Sequence, residues 1–231
     1  MRGTELRAAR RGAGVTQERL AQLLGVTQGY VSLLEKGRRV PSPRLTRKVC
    51  RVLGLPPTSL PVTTTRRGAG GTRPEWVVRC LANLDYPGYA FRKAPGRRVN
   101  PAEVLLRTLA QQRVAPRLFE AMPWLLLTYG GFDHKTLVGK ARELGVQNRL
   151  GFVAALARAV ARSNQVFEHR ATEMESLQSA LELHRLANED ALGQDLRSER
   201  LRAWVKAVRT SDAAHWNLLT ALAPEQLPYA N

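Results

Sequence analysis

The sequence predicts an all-α fold in two parts: a small helical domain over residues 1–55 and a larger helical domain over 75–231, joined by a flexible linker at 56–74. Three observations predict it. Between Thr4 and Leu55 the apolar residues recur at helical spacing and are punctuated by glycines. The next stretch, PPTSLPVTTTRRGAGGTRP, is rich in Pro, Thr, Gly and Arg and lacks the apolar residues a core needs. Beyond it helical periodicity returns, and strand signals are weak.

In the first part, Leu6 and Ala9 give a first helix its inner face. Thr16, Thr27 and Ser42 each stand just before an apolar-periodic segment, where a side-chain oxygen caps the helix that follows. Leu20, Leu24, Val26, Val31 and Leu34 point into one small core, and Leu45, Val49 and Leu53 supply the inner face of a fourth helix. The second and third helices need a small residue where they cross and a strain-free residue in the tight turn between them. Ala21 and Gly25 meet those two needs.

In the second part, Asn100-Pro101 and Ala115-Pro116 open two helices, the latter running into the Trp124-Leu125-Leu126-Leu127 cluster. Further helices are expected at 133–144, 147–162, 165–188, 198–210 and 211–222. Asp133 and Ser211 fall at N-cap positions, and Gly145 where a helix ends. The stretch 86–98, with Pro87-Gly88, reads as a short hairpin or a basic loop. Its aromatic and basic residues (Tyr86, Tyr89, Phe91, Arg92, Lys93, Arg97 and Arg98) suit either nucleic-acid contact or a solvated surface. The amphipathic set Phe167, Met174, Leu177, Leu181 and Leu186 suits either a dimer helix or plain domain core.

Charge narrows the function. The 231 residues hold 36 Lys and Arg against 19 Asp and Glu, a net +17, which calls for a polyanionic partner. Residues 1–75 contain 15 basic and 4 acidic side chains, net +11, so the footprint of that partner lies toward the N-terminus. Cys50 and Cys80 have no neighbouring ligands, which argues against a disulfide scaffold or a zinc site and fits a reducing cytoplasm. His134, His169, His184 and His215 lack metal-binding spacing, and Gly139-Lys140 lacks the rest of a phosphate loop. No catalytic constellation emerges, so neither enzyme activity nor a cofactor is expected. No signal peptide and no membrane span is expected either.

The stretch TQERLAQLLGVTQGYVSLLEKG at 16–37 resembles the helix-turn-helix of the phage-repressor (Cro/CI, XRE) family. The resemblance covers residues 4–55. It rests on the Gln-led second helix, Ala21, Gly25, the Tyr30-Val31-Ser32 opening of the third helix, and Glu35-Lys36-Gly37. It implies a lambda-repressor-like domain whose third helix enters the DNA major groove. On that basis Gln28 suits a bidentate bond to adenine, Ser32 suits several base edges, and Leu33 offers apolar contact, for instance to a thymine methyl. Gly29 has no side chain to offer, so DNA shape is expected to contribute to recognition. Gln17, Thr27 and Tyr30 are the candidate phosphate contacts, flanked by Lys36, Arg38, Arg39 and Arg44. Val31 and Leu34 are structural. So is Glu35, which in similar domains bridges to an arginine of the first helix, here Arg10.

Double-stranded DNA is thus the expected partner, and a cytoplasmic sequence-specific regulator, a repressor, the expected function. Residues 75–231 resemble no family by their sequence, and by architecture they are expected to supply homodimerisation or effector sensing. An antitoxin is the alternative, with the same DNA-binding unit for autoregulation and a C-terminal half that masks a toxin.

Overall fold

The computed structural model describes residues 1–65, 71–93, 98–193, 196 and 198–230. Residues 66–70 of the expected linker, and Arg97 of the basic stretch, lie outside the described residues. The chain divides into two compact units, Met1–Thr63 and Thr64–Asn231. The described residues are helical throughout both units, with one isolated parallel bridge, Asp190 to Leu218, and no strand among them.

Unit 1 holds α1 (Gly3–Gly12), α2 (Gln17–Leu24), α3 (Gln28–Glu35) and α4 (Pro43–Val52). Leu6, Leu20, Ala21, Leu24, Val31, Leu34 and Val49 form its core, with Val26, Leu45 and Leu53 packed at the edge. Thr16, Thr27 and Ser42 accept hydrogen bonds from the backbone N–H of Arg19, Tyr30 and Leu45, so α2, α3 and α4 each start on a side-chain cap. Gly25 ends α2 at φ +70°, in the left-handed region. There its N–H donates to Gln22 and that of Val26 to Ala21, which turns the chain sharply into α3. Another glycine serves a close approach. A Cβ on Gly3 would lie 2.3 Å from the carbonyl oxygen of Leu34, so the start of α1 can press against the end of α3 only without a side chain.

Unit 2 contains α5 (Pro74–Asn83), α6 (Pro101–Leu109), α7 (Pro116–Thr128), α8 (His134–Leu144), α9 (Gln147–Ser163), α10 (Ala171–Glu182), α11 (Glu199–Val208) and α12 (Ser211–His215). α9 is its axis. Leu150, Phe152, Val153, Ala154, Ala155, Leu156, Ala157 and Val160 are all buried, as befits a helix surrounded by others, and α6, α7, α8, α10 and α12 pack on it. Met174, Leu177 and Leu181 of α10 are fully buried against this axis, which makes the amphipathic set there domain core rather than a dimer helix.

Three sequence expectations are corrected. The 165–188 helix begins only at Ala171, after a 3-10 turn at Glu168–Arg170, and stops at Glu182, beyond which the Asn148 side chain bonds both backbone groups of Leu186 at 2.8 Å and Asn217 adds a third bond. Those bonds take Leu186 out of any helical ladder. The 211–222 helix is capped by Thr210, not Ser211, and stops at His215, where Asn217 adopts φ +54° and the N–H of Leu218 returns to Ala213. The hairpin reading of 86–98 fails too, because Pro87–Arg92 is a 3-10 helix.

α7 carries Pro123 in its interior. The Tyr229 hydroxyl enters the helix there, accepting from the Trp124 N–H at 3.1 Å and donating to the Glu120 carbonyl at 2.5 Å. These two groups would otherwise pair with each other in an unbroken helix, so one side chain from far along the sequence satisfies both.

Candidate nucleic-acid interface

The site is built on a buried ion pair. Glu35, the last residue of α3, has a side chain with no exposed surface. Arg10 of α1 meets it with two hydrogen bonds, Nε to Oε1 at 2.5 Å and Nη2 to Oε2 at 3.1 Å, and donates a third to the Val15 carbonyl at 2.7 Å. Arg7, one turn earlier on α1, lies 3.5 Å from the same carboxylate. Burial alone pushes the Glu35 carboxyl upward. The hydrogen bonds from Arg10, Gln17 and Arg7, with the Arg10 charge, outweigh it and hold the group below the usual carboxylate range. The hydrogen bond to Glu35 in turn holds Arg10 above its ordinary value.

From this anchor a chain of carboxamides leads outward. Gln17 Nε2 donates to Glu35 Oε2 at 2.8 Å, and Gln17 Oε1 accepts from Gln28 Nε2 at 2.9 Å. Gln17, the first residue of α2, therefore bonds inside the unit through both its polar atoms, with one amide hydrogen left over. Gln28, the first residue of α3, is exposed at the tip of the chain. One of its two amide hydrogens goes to Gln17; the other hydrogen and its oxygen face no partner within the unit that this bond uses.

The remaining candidates lie around that tip or after α3. Thr27 is exposed and its oxygen caps α3, so its hydroxyl hydrogen is still free to donate. Tyr30 is half-buried against the core, and Ser32 and Leu33 are half-buried along α3. Lys36, Arg38 and Arg39 are exposed on the turn that leaves α3, held by bonds from the backbone N–H of Arg38 and Arg39 to the Leu33 carbonyl. Arg44 is exposed in the first turn of α4.

Two supporting residues, Arg7 and Lys48, lie outside the set read from the sequence. Arg7 shares a helix face with Arg10, three residues away, and that spacing is the signal that points to it. Lys48 of α4 donates to the Leu24 carbonyl at 2.8 Å and so places a cation on the C-terminal end of α2, an interaction worth about 0.3–1 kcal/mol. No local pattern announces it, because its partner lies 24 residues upstream.

Two capped helices joined by a tight turn at Gly25, with Gln28 and Gly29 at the start of the second left exposed, define a helix-turn-helix unit. A profile of the helix-turn-helix domain family matches residues 3–61. An uncharacterized HTH-type transcriptional regulator of Methanothermobacter thermautotrophicus is 45% identical over 51 residues, 22% of this chain and 74% of that protein. The chain belongs to the helix-turn-helix domain family. No solved structure matches it. No described helix is long and apolar enough to cross a membrane.

Proposed function

We propose that the chain is a sequence-specific DNA-binding transcriptional regulator that acts as a repressor, working in the cytoplasm as a homodimer. The observation that carries this reading is the anchored position of Gln28. Its carboxamide stands at the exposed start of α3, steadied by Gln17 and, through Gln17, by the buried Arg10–Glu35 pair. The amide hydrogen left over donates to adenine N7 and the amide oxygen accepts from N6, the two-point contact a carboxamide makes with adenine. Phosphates on either side fall to Thr27, Lys36, Arg38, Arg39 and Arg44 and to the free N–H groups of the first turn of α3. The relative named as a transcriptional regulator supports the same role. Residues 75–231 then serve dimerisation or effector sensing, and the protein acts by binding rather than by catalysis.

The test is selection of bound duplexes from a random-sequence pool by the full chain. A two-fold symmetric site is expected, with half-sites about one helical turn, ~10 bp, apart. Recovery of sequences no different from the starting pool would overturn the proposal.

A further inference from the structure

The direction of the hydrogen bonds between Glu35 and Gln28 is fixed at the buried end. Every partner of the Glu35 carboxylate among the described residues is a donor. Arg10 Nε meets Oε1 at 2.5 Å; Arg10 Nη2, Gln17 Nε2 and Arg7 Nε meet Oε2 at 3.1, 2.8 and 3.5 Å. An ionised carboxylate has no hydrogen to give, so the Gln17 amide meets it nitrogen first. The Gln17 oxygen is thereby turned outward, where it accepts from Gln28 Nε2 at 2.9 Å. A Gln28 amide rotated by half a turn would set oxygen against oxygen at that point, with no hydrogen between them.

The exposed end of Gln28 inherits that order. Its nitrogen lies toward Gln17 with one hydrogen left over, and its oxygen lies on the other side. Adenine presents an acceptor, N7, beside a donor, the N6 amino group, and takes this order as it stands. Guanine presents two acceptors, so its O6 would face the Gln28 oxygen. A reversed amide would meet adenine acceptor to acceptor and donor to donor. An exposed carboxamide turns about its last bond at little cost, and here the bond to Gln17 holds it one way round.

We propose that Glu35 helps to choose the base without touching DNA: as a buried acceptor it sets the direction of the Gln17 amide, and through it that of Gln28, in the order that selects adenine. Glu35 and Gln17 are positioning residues in this scheme. The inference rests on the reading of the chain as a DNA-binding regulator with Gln28 at a base edge, and adds what makes that contact selective. It also gives one carboxylate two separable tasks. Pairing with Arg10 needs its charge, whereas ordering the amides needs only an acceptor on the side of Gln17.

Selection of duplexes from a random-sequence pool, repeated with variants of the full chain, tests this. The wild type is expected to enrich adenine at a position of each half-site where Gln28→Ala loses the preference. Gln17→Met keeps the side-chain length and leaves the ion pair in place. It should lower the adenine preference there by about tenfold, with the other positions as enriched as before. Glu35→Gln, whose amide can turn its hydrogens toward Gln17, should do the same. Arg10→Lys is the control: it disturbs the ion pair and lowers the melting temperature, yet leaves Glu35 an acceptor, and should keep the preference. A purely structural Glu35 would weaken every position alike. Adenine preference undiminished in both Gln17→Met and Glu35→Gln would overturn the proposal, as would an equal loss in Arg10→Lys or a base other than adenine at the position Gln28 controls. A second measurement needs no DNA. The NMR coupling across the hydrogen bond from the Gln28 amide nitrogen to the Gln17 carbonyl carbon should be present in the wild type and Arg10→Lys and weakened in Glu35→Gln. If the wild type selects no sequence, the regulator reading falls, while a coupling unchanged in Glu35→Gln would separately refute the ordering of the amides.

Discussion

Gln28 and Arg39 separate reading from positioning at the scale of single residues. On the proposed reading, the exposed Gln28 carboxamide meets base edges, while Arg39, on the exposed turn after α3, meets phosphate. Gln28→Ala is expected to cost about 1–3 kcal/mol on the selected duplex and almost nothing on a scrambled one. Arg39→Ala should weaken both alike and lower the salt slope by about one for each phosphate that the arginine neutralises. Fluorescence titration against both duplexes at several salt concentrations measures this; an equal loss for Gln28→Ala on both would remove α3 as the reading helix. Glu35 acts on stability instead. Its carboxyl binds a proton less tightly folded than unfolded, so its contribution is complete above the ordinary carboxylate range and fades as acid protonates it below that range. Glu35→Ala strands Arg10 at a buried site and should destabilise unit 1 by about 3 kcal/mol at neutral pH. The gap between wild-type and Glu35→Ala melting temperatures should narrow as the pH drops below about 4.5. A gap that stays constant with pH would show that the carboxylate is not what stabilises the unit.

Elements differ in how plainly they are written in the sequence. α2, its turn and α3 are legible because each boundary is local: a threonine cap, a glycine in the turn, apolar residues on one face. The candidate residues of the interface are legible for the same reason. Their linkage through Gln17 is not, since it depends on where α1, α2 and α3 come together. In unit 2 the periodicity overextends α12 because Leu218 and Leu219 are buried from irregular backbone, where an apolar residue looks the same as in a helix. Asn148, which interrupts the ladder at Leu186, acts from 38 residues away. α7 shows the same dependence on distant chain. Tyr229→Phe keeps the ring but removes the hydroxyl between Glu120 and Trp124, leaving two buried backbone groups unpaired. Unit 2 should lose about 1–3 kcal/mol, read as a lower denaturation midpoint in urea with an unchanged slope. An unaltered midpoint would mean that water satisfies the break equally well.

At the scale of the whole molecule, the division at residue 63 separates the unit with the candidate DNA-contacting side chains from the larger helical unit. Unit 1 has its own core and capped helices, so residues 1–63 alone should fold. They should bind the selected duplex at least ~10²-fold more weakly than the full chain, because the second half-site is no longer tethered to the first. Circular dichroism and titration of the fragment check both statements, and equal affinity would deny the second unit any part in pairing.

The Tyr229 hydroxyl also sets an order of events while the chain is being made. Trp124 leaves the ribosome 105 residues before Tyr229. At ~5–20 residues per second, that is a delay of about 5–20 s. Throughout it α7 carries an open gap at Pro123, with the Trp124 N–H and the Glu120 carbonyl left to water. α9 and α10 are synthesised within that interval and can gather on an α7 that is still unfinished. Native hydrogen bonding in the middle of unit 2 is completed only once translation has reached residue 229, so a message cut short even slightly upstream yields a chain with most of its helices and a permanent break in α7.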